Sequence, residues 1–315
     1  MSERAKNWIA FFVCTFLCLI LIEFGLRLFE KESFYLPIRL DSDGFVRHTP
    51  NLDTYRLNNE SKKKVHIVTN DMGFVGGPFV KEKTSGTLRI ALLGDSFTEA
   101  MQVDYERTFG ALLSRGVRDI LPATSSYKEV EVYNFGIGGF GTVDELVYME
   151  KFVRTYSPDI VLLMFYGGND VPNNADYISR FEELRSLSAD GIASVRLHGS
   201  EGLSGLAGWK NRLYRNSAII RLCDRVVRSA PFLQRLAVRA GLFRQRSEQK
   251  TVSSIEPFHA YYTTSSVKGV AEAYDFTDWL LQRMQESASS FGAKFVVGYI
   301  PEGRMVSSTL AASIR

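Results

Sequence analysis

A short apolar run stops at a glycine and is followed at once by an acid and a hydroxyl, from Leu88 to Thr98 (LRIALLGDSFT), and this stretch constrains the chain most. Leu88, Ile90, Ala91, Leu92 and Leu93 predict a strand covered on both faces, because a continuous apolar run bounded by a turn signal suits a buried sheet. Gly94 turns the chain. Asp95 and Ser96 are then left just past the carboxyl end of that strand, where open α/β sheets gather ligands and chemistry. The pattern occurs twice more. Val130 to Phe135 runs into Gly136-Ile137-Gly138-Gly139-Phe140-Gly141, and Asp159 to Phe165 runs into Gly167-Gly168-Asn169-Asp170.

Helical spacing separates these strands: Phe109, Leu112, Leu113 and Val117 after the first, Leu146, Met149, Val153 and Tyr156 after the second. Thr142 with Glu145 three residues on reads as a capping box for the second helix. Later, Gly269 to Gly292 predicts a long helix with Val270, Tyr274, Leu281 and Met284 on one face, and Lys294 to Ile300 another buried strand. Strands alternating with helices imply right-handed crossovers and a parallel sheet, so the strand ends share one rim. Ser96, the glycine loop and Asn169 should therefore converge.

At these residues the chain resembles the SGNH or GDSL hydrolases, a family named for a Ser, a Gly, an Asn and a His in four sequence blocks. Gly94-Asp95-Ser96 is similar to the first block, and Gly167-Gly168-Asn169-Asp170 to the third. Counting from Asn134, the glycine of the second block is matched by Gly139, with Gly138 the next choice. The resemblance covers roughly Asn70 to Pro301, including the lead-in Asn70 to Phe74. It implies the SGNH hydrolase fold, an α/β protein of three α/β/α layers on a parallel, flavodoxin-like sheet. It also implies serine ester hydrolysis with no metal and no cofactor.

The chemistry asks for the same residue types. Acyl transfer needs a nucleophile, here Ser96, and preorganised donors aimed at the oxygen that becomes negative. The N–H of Ser96, a glycine N–H at Gly139 and the Asn169 amide form such an oxyanion hole. A serine also needs a base, which the resemblance places in a DxxH segment after the last strand. None of His48, His66, His198 and His259 follows an Asp by three positions; Glu256 before His259 comes nearest, ahead of the last helix rather than after the last strand. The expectation is a chain that ends before its DxxH block, with a degenerate relative as the alternative.

The amino end carries an uncharged apolar run, Trp8 to Ile22, extended to Phe29 with only Glu23 and Arg27 interrupting. About 20 residues cross a bilayer, so one membrane helix is expected, with a cleaved signal peptide as its rival. Arg4 and Lys6 favour an inside amino terminus and an extracytoplasmic catalytic domain, at the periplasm or cell surface; Arg27 and Lys31 pull the other way. Cys14 and Cys18 fall in this segment, which leaves Cys223 without a partner for an internal disulfide. The expected organisation is an anchor (1–30), a strand-rich extension (31–87), and an α/β domain (88–315) interrupted by a basic helical insertion (171–267). In that insertion arginines interleave with apolar residues, as a solvated helical cap or a lid on an anionic membrane or glycan surface would require.

A net charge of +3, with the basic bias confined to the insertion, does not suggest nucleic acid as a partner. Expected partners are the membrane and an ester-bearing carbohydrate or lipid. Three other functions share these motifs: an O-acyltransferase for cell-surface polysaccharide, a non-catalytic glycan- or ester-binding relative, and a dinucleotide-binding enzyme. The last rests on the literal GxGxxG of Gly136, Gly138 and Gly141, but the acid expected about 20 residues on is missing.

Overall fold

The computed structural model describes residues 2–29, 38–40, 44–58, 61, 63–195, 197, 213, 217–230, 232–233, 236 and 270–301. They fall into two compact units, Met1–Pro37 with His198–Gln249, and Ile38–Leu197 with Lys250–Arg315.

The larger unit is built on a four-stranded parallel sheet. Its strands are β5 (Thr87–Gly94), β6 (Glu129–Asn134), β7 (Ile160–Tyr166) and β8 (Lys294–Ile300), in the order β6-β5-β7-β8. The first of these strands lies inside, with the second on one side and the third on the other, so chain direction across the sheet reverses at β5. That is the flavodoxin-like order, and its switch point is the place for a ligand crevice. Alternate side chains of β5 divide between two layers. Leu88, Ile90 and Leu92 meet Leu113 and Val117 of α3 (Phe109–Ile120). Ala91 and Leu93 join the larger core with Val143, Leu146 and Val147 of α4 (Thr142–Lys151) and Phe276, Leu280 and Met284 of α9 (Val270–Ser290).

Three sequence expectations shift. The strand Lys294–Ile300 is present but is not buried on both faces: it pairs with β7 alone among the described residues, and Val297 and Tyr299 remain 44% and 53% exposed. On α9 the buried face runs through Val270, Ala273, Phe276, Leu280 and Met284, while Tyr274 points outward. The capping box moves back by one residue. Gly141 is the N-cap of α4, and Asp144, not Glu145, reaches back to accept the Gly141 N–H at 2.9 Å. Glu145 instead turns into the interior.

Residues ahead of the sheet form two small antiparallel hairpins, β1 (Ile38–Leu40) with β2 (Val46–His48) and β3 (Asp53–Leu57) with β4 (Lys64–Val68). They belong to the same compact unit. Asn70 turns the chain after β4 by accepting the N–H groups of Met72 and Phe74 on Oδ1, an Asx turn. Phe74 is thereby driven into the core against Phe79, Phe135, Tyr148 and Phe152.

The smaller unit holds α1 (Glu3–Phe29), of which 26 residues, Glu3–Leu28, form a candidate membrane span; an 18-residue window of it has mean hydropathy 2.6 and no buried residue. The same unit includes α8 (Ala218–Ser229), an amphipathic helix with Ser217 as its N-cap. Pro231 and much of the basic insertion beyond it, including Gly241, lie outside the described residues.

Truncating Phe74, which is wholly buried in an aromatic cluster, removes the contacts that hold the hairpins to the sheet. Phe74→Ala is expected to lower stability by about 3–5 kcal/mol in equilibrium unfolding. A loss below about 1 kcal/mol would show that the site collapses freely.

Candidate active site

Ser96 opens α2 (Ser96–Glu99), a single turn that begins as soon as β5 ends. Asp95 caps that turn, its Oδ1 accepting the Phe97 N–H at 2.9 Å. The other carboxylate oxygen accepts from Asn169 Nδ2, also at 2.9 Å. One buried acid thus ties the residue after β7 to the residue before Ser96. Burial pushes the Asp95 carboxyl above its ordinary value, against the hydrogen bonds from Phe97 and Asn169 that pull it down.

The loop after β6 closes from the other side. Asn134, the last residue of β6, donates through Nδ2 to the Thr98 carbonyl at 2.7 Å and accepts the Gly136 N–H on Oδ1 at 2.9 Å. Next, the Ile137 N–H reaches the Gly94 carbonyl at 3.1 Å. The glycines are needed for packing: a Cβ on Gly136 would stand 2.7 Å from the Glu99 backbone nitrogen, and one on Gly141 the same distance from Asn173 Cβ. Gly138 lies against Ser96, because a Cβ there would be 3.5 Å from Ser96 Cβ and 2.9 Å from Glu99 Oε2. Gly139 has φ +88° and open space where a side chain would be. The spacing GxGxxG is thus accounted for by contacts with α2 and with Asn173.

Ser96, Asn169 and the 138–139 loop therefore share one rim of the sheet. Ser96 is half-buried, and Gly139 is exposed. Among the described residues no acceptor takes the N–H of Ser96 or of Gly139, and the Ser96 hydroxyl has no partner. Asn169 has one Nδ2 hydrogen committed to Asp95 and a second to spare. Phe97 and Tyr166, with ring centroids 4.5 Å apart, form an apolar lip next to the serine. Of the four histidines, His198 and His259 lie outside the described residues, and His66 is held by Asp53 at 2.7 Å. The described residues contain no group of three or more His, Cys, Asp or Glu side chains able to hold a metal.

Two features were not legible from the motifs. His48, from β2, meets Glu99 of α2 inside the protein, Nε2 to Oε1 at 2.6 Å. Glu99 had a local signal, an acid three residues after Ser96, whereas His48 is 51 positions away and its pairing follows only from how the hairpin packs. The second feature is a set of carboxyls behind the rim. Glu145 is wholly buried, with no partner for either oxygen, and burial next to Asp170, Asp95 and Asp144 holds it far above the ordinary carboxylate range. For Asp170, whose Oδ2 accepts the Tyr166 N–H at 2.7 Å, burial pushes the value up to about 8. At about 8, the Asp170 carboxyl is mainly protonated near pH 7.

Removing one member of a buried pair leaves the other without its partner, so His48→Ala is expected to cost about 3–5 kcal/mol in urea unfolding. An unchanged midpoint would mean that Glu99 finds solvent instead. The buried acids set a second expectation. Unfolded, they ionise near pH 4, so the folded state holds protons that the unfolded chain has released. Their contribution is complete below about pH 4 and is lost as pH rises through the Asp170 value of about 8. Stability should therefore fall between pH 5 and about 8, and Asp170→Asn, which mimics the neutral acid, should flatten that fall. A slope equal to that of the parent would remove Asp170 as its source.

Residues 90–218 match the model of the GDSL-like Lipase/Acylhydrolase family. Among solved structures, the chain is similar to TesA (22% identity, 31% of this chain and 54% of that one, TM-score 0.23). It is also similar to AlinE4, an SGNH-hydrolase family esterase (22% identity, 33% and 56%, TM-score 0.24). A third likeness is to a catalytic mutant of Axe2, an acetylxylan esterase from Geobacillus stearothermophilus (14% identity, 68% and 77%, TM-score 0.25). The aligned part spans about half the length of TesA and of AlinE4. No curated protein matches the sequence.

Proposed function

We propose, from the match of residues 90–218 to the GDSL-like lipase/acylhydrolase family model, that the protein is a membrane-anchored serine esterase working through an acyl-enzyme. The observation that carries this reading is the joint placement of the Ser96 hydroxyl, two uncommitted backbone N–H groups and the Asn169 amide at one sheet rim. In the proposed reaction Ser96 Oγ attacks the ester carbonyl and loses its proton to a base. The N–H groups of Ser96 and Gly139, with Asn169 Nδ2, receive the negative charge that develops on the carbonyl oxygen. Collapse of the tetrahedral intermediate expels the alcohol, and water then attacks the acyl-serine to release the acid and restore the hydroxyl.

Several parts of the site serve this sequence without taking part in it. Asp95 orients Asn169 by accepting one of its amide hydrogens. Burial pushes the Glu145 and Asp170 carboxyls up, which favours their neutral forms behind an oxygen that must itself become negative. The base would be the histidine of a DxxH segment, as the family resemblance implies. Carboxylic esters of carbohydrate or lipid, O-acetyl esters included, are the proposed substrates. With α1 as the anchor, Arg4 and Lys6 favour placing the catalytic unit outside the cytoplasm.

A second reading has its own support. Because the Ser96 hydroxyl meets no base among the described residues, the rim suits an ester-binding protein without turnover equally well. Transfer of the acyl group to a sugar hydroxyl would use the same serine.

Hydrolysis of p-nitrophenyl acetate by a form of the protein that carries the DxxH segment separates these. Turnover that Ser96→Ala abolishes is expected, and equal turnover in that variant rules out the assigned nucleophile. Asn169→Ala should lower kcat by about 10²–10³-fold, the usual loss for one oxyanion donor. Absence of turnover with retained ester binding would favour the binding protein, and a rise in product release on adding a sugar acceptor would favour transfer.

A further inference from the structure

The smaller unit contains a contact that the proposed chemistry does not use. Glu23 sits in the last turns of α1, an apolar helix where a carboxylate is costly. Its two oxygens are taken up by the first turn of α8. The Ala218 N–H donates to Oε1 at 2.8 Å, the Ile219 N–H to Oε2 at 3.1 Å, and the Ser217 hydroxyl to Oε2 at 2.9 Å. Arg27, one turn further along α1, donates to Oε1 at 2.8 Å. An acid at a helix amino terminus satisfies otherwise unpaired N–H groups and meets the positive end of the helix dipole. Glu23 is therefore a bracket by which the apolar helix carries a second helix.

That second helix carries exposed apolar side chains. Leu222 and Val226, one turn apart, are 39% and 49% exposed, and Cys223 beside them is exposed too. Phe232 and Leu236 continue the pattern past the helix end. Exposed apolar side chains along one side of a short helix are the pattern of a helix lying in a membrane interface.

Length locates it along α1. A span of 26 residues rises about 39 Å at ~1.5 Å per residue, about 9 Å more than a hydrocarbon core of ~30 Å. The uncharged run Trp8–Ile22 lies between Arg4 and Lys6 at one end and Glu23 and Arg27 at the other, so the surplus is shared between the two ends and Glu23 borders the headgroup level. The exposed Phe24 and Leu28 of α1 belong to the same unit as the open face of α8.

We propose that α8 lies in the headgroup layer of the bilayer crossed by α1, with Leu222 and Val226 turned into the lipid and Glu23 as its tether. The inference rests on α1 being a retained membrane span. It is independent of the enzymatic reading. It assigns the exposed side chains to a lipid surface, because α8 is fastened at Glu23 to an apolar helix that is itself exposed along its length.

Cys223 offers the test. In the full chain carrying Cys14→Ser and Cys18→Ser it is the remaining thiol. It is labelled with a nitrobenzoxadiazole dye, and the protein is reconstituted in vesicles of phosphatidylcholine and phosphatidylglycerol. The expected result is blue-shifted emission, quenched by nitroxide lipids labelled near the headgroup and shielded from aqueous iodide. Glu23→Ala and the pair Leu222→Asp/Val226→Asp should each lose the lipid quenching while the protein stays in the vesicles. Emission as in water, quenched by iodide, from a protein that resists carbonate extraction would overturn the inference and leave the anchor intact. Release by carbonate would overturn the anchor, and the inference with it. Shielding from iodide without lipid quenching would assign the face to another protein surface and equally overturn it.

Discussion

One buried carboxylate organises the rim. Asp95 follows the central strand and faces two ways, with one oxygen ending α2 at its first turn and the other holding Asn169 from the neighbouring strand. Each hydrogen bond would be ordinary alone. Together they set the distance between the hydroxyl-bearing residue and the amide-bearing residue, which belong to segments more than 70 positions apart. Asn134 does the same from the other flank, binding the Thr98 carbonyl and the Gly136 N–H. The rim is thus fixed by side chains that stop short of the reacting atoms, as a preorganised site requires.

This arrangement has a cost inside the molecule. Glu145 is buried with neither oxygen paired, and Asp170 lies close enough to add to its shift. An unpaired buried carboxyl is destabilising as an anion, so burial favours its protonated form.

The amino-terminal helix shows the same logic in another setting. A carboxylate that interrupts an apolar run reads, in isolation, as a weak point of the span. With α8 capped on it, the carboxylate becomes a junction whose charge is met by two N–H groups, a hydroxyl and an arginine.

The parallel sheet, its alternation with helices and the approximate ends of β5, β6 and β7 were legible in the residues themselves, since apolar period and glycine punctuation are local properties. So were the convergence of Ser96, Asn169 and the glycine loop, which follows from parallel strands sharing one end, and the apolar length of α1. Burial was not. The run Lys294–Ile300 is as apolar as a central strand yet lies at the sheet edge, because strand order is decided by crossovers and not by composition. Nor could the chain reveal that Asp144 rather than Glu145 caps α4, since both acids fit the spacing and only the packed core decides which one turns inward. The pairing of His48 with Glu99, and of Glu23 with α8, joins residues 51 and about 195 positions apart. Side-chain chemistry specified what each group needs, and the three-dimensional path of the backbone alone selected which partner supplies it.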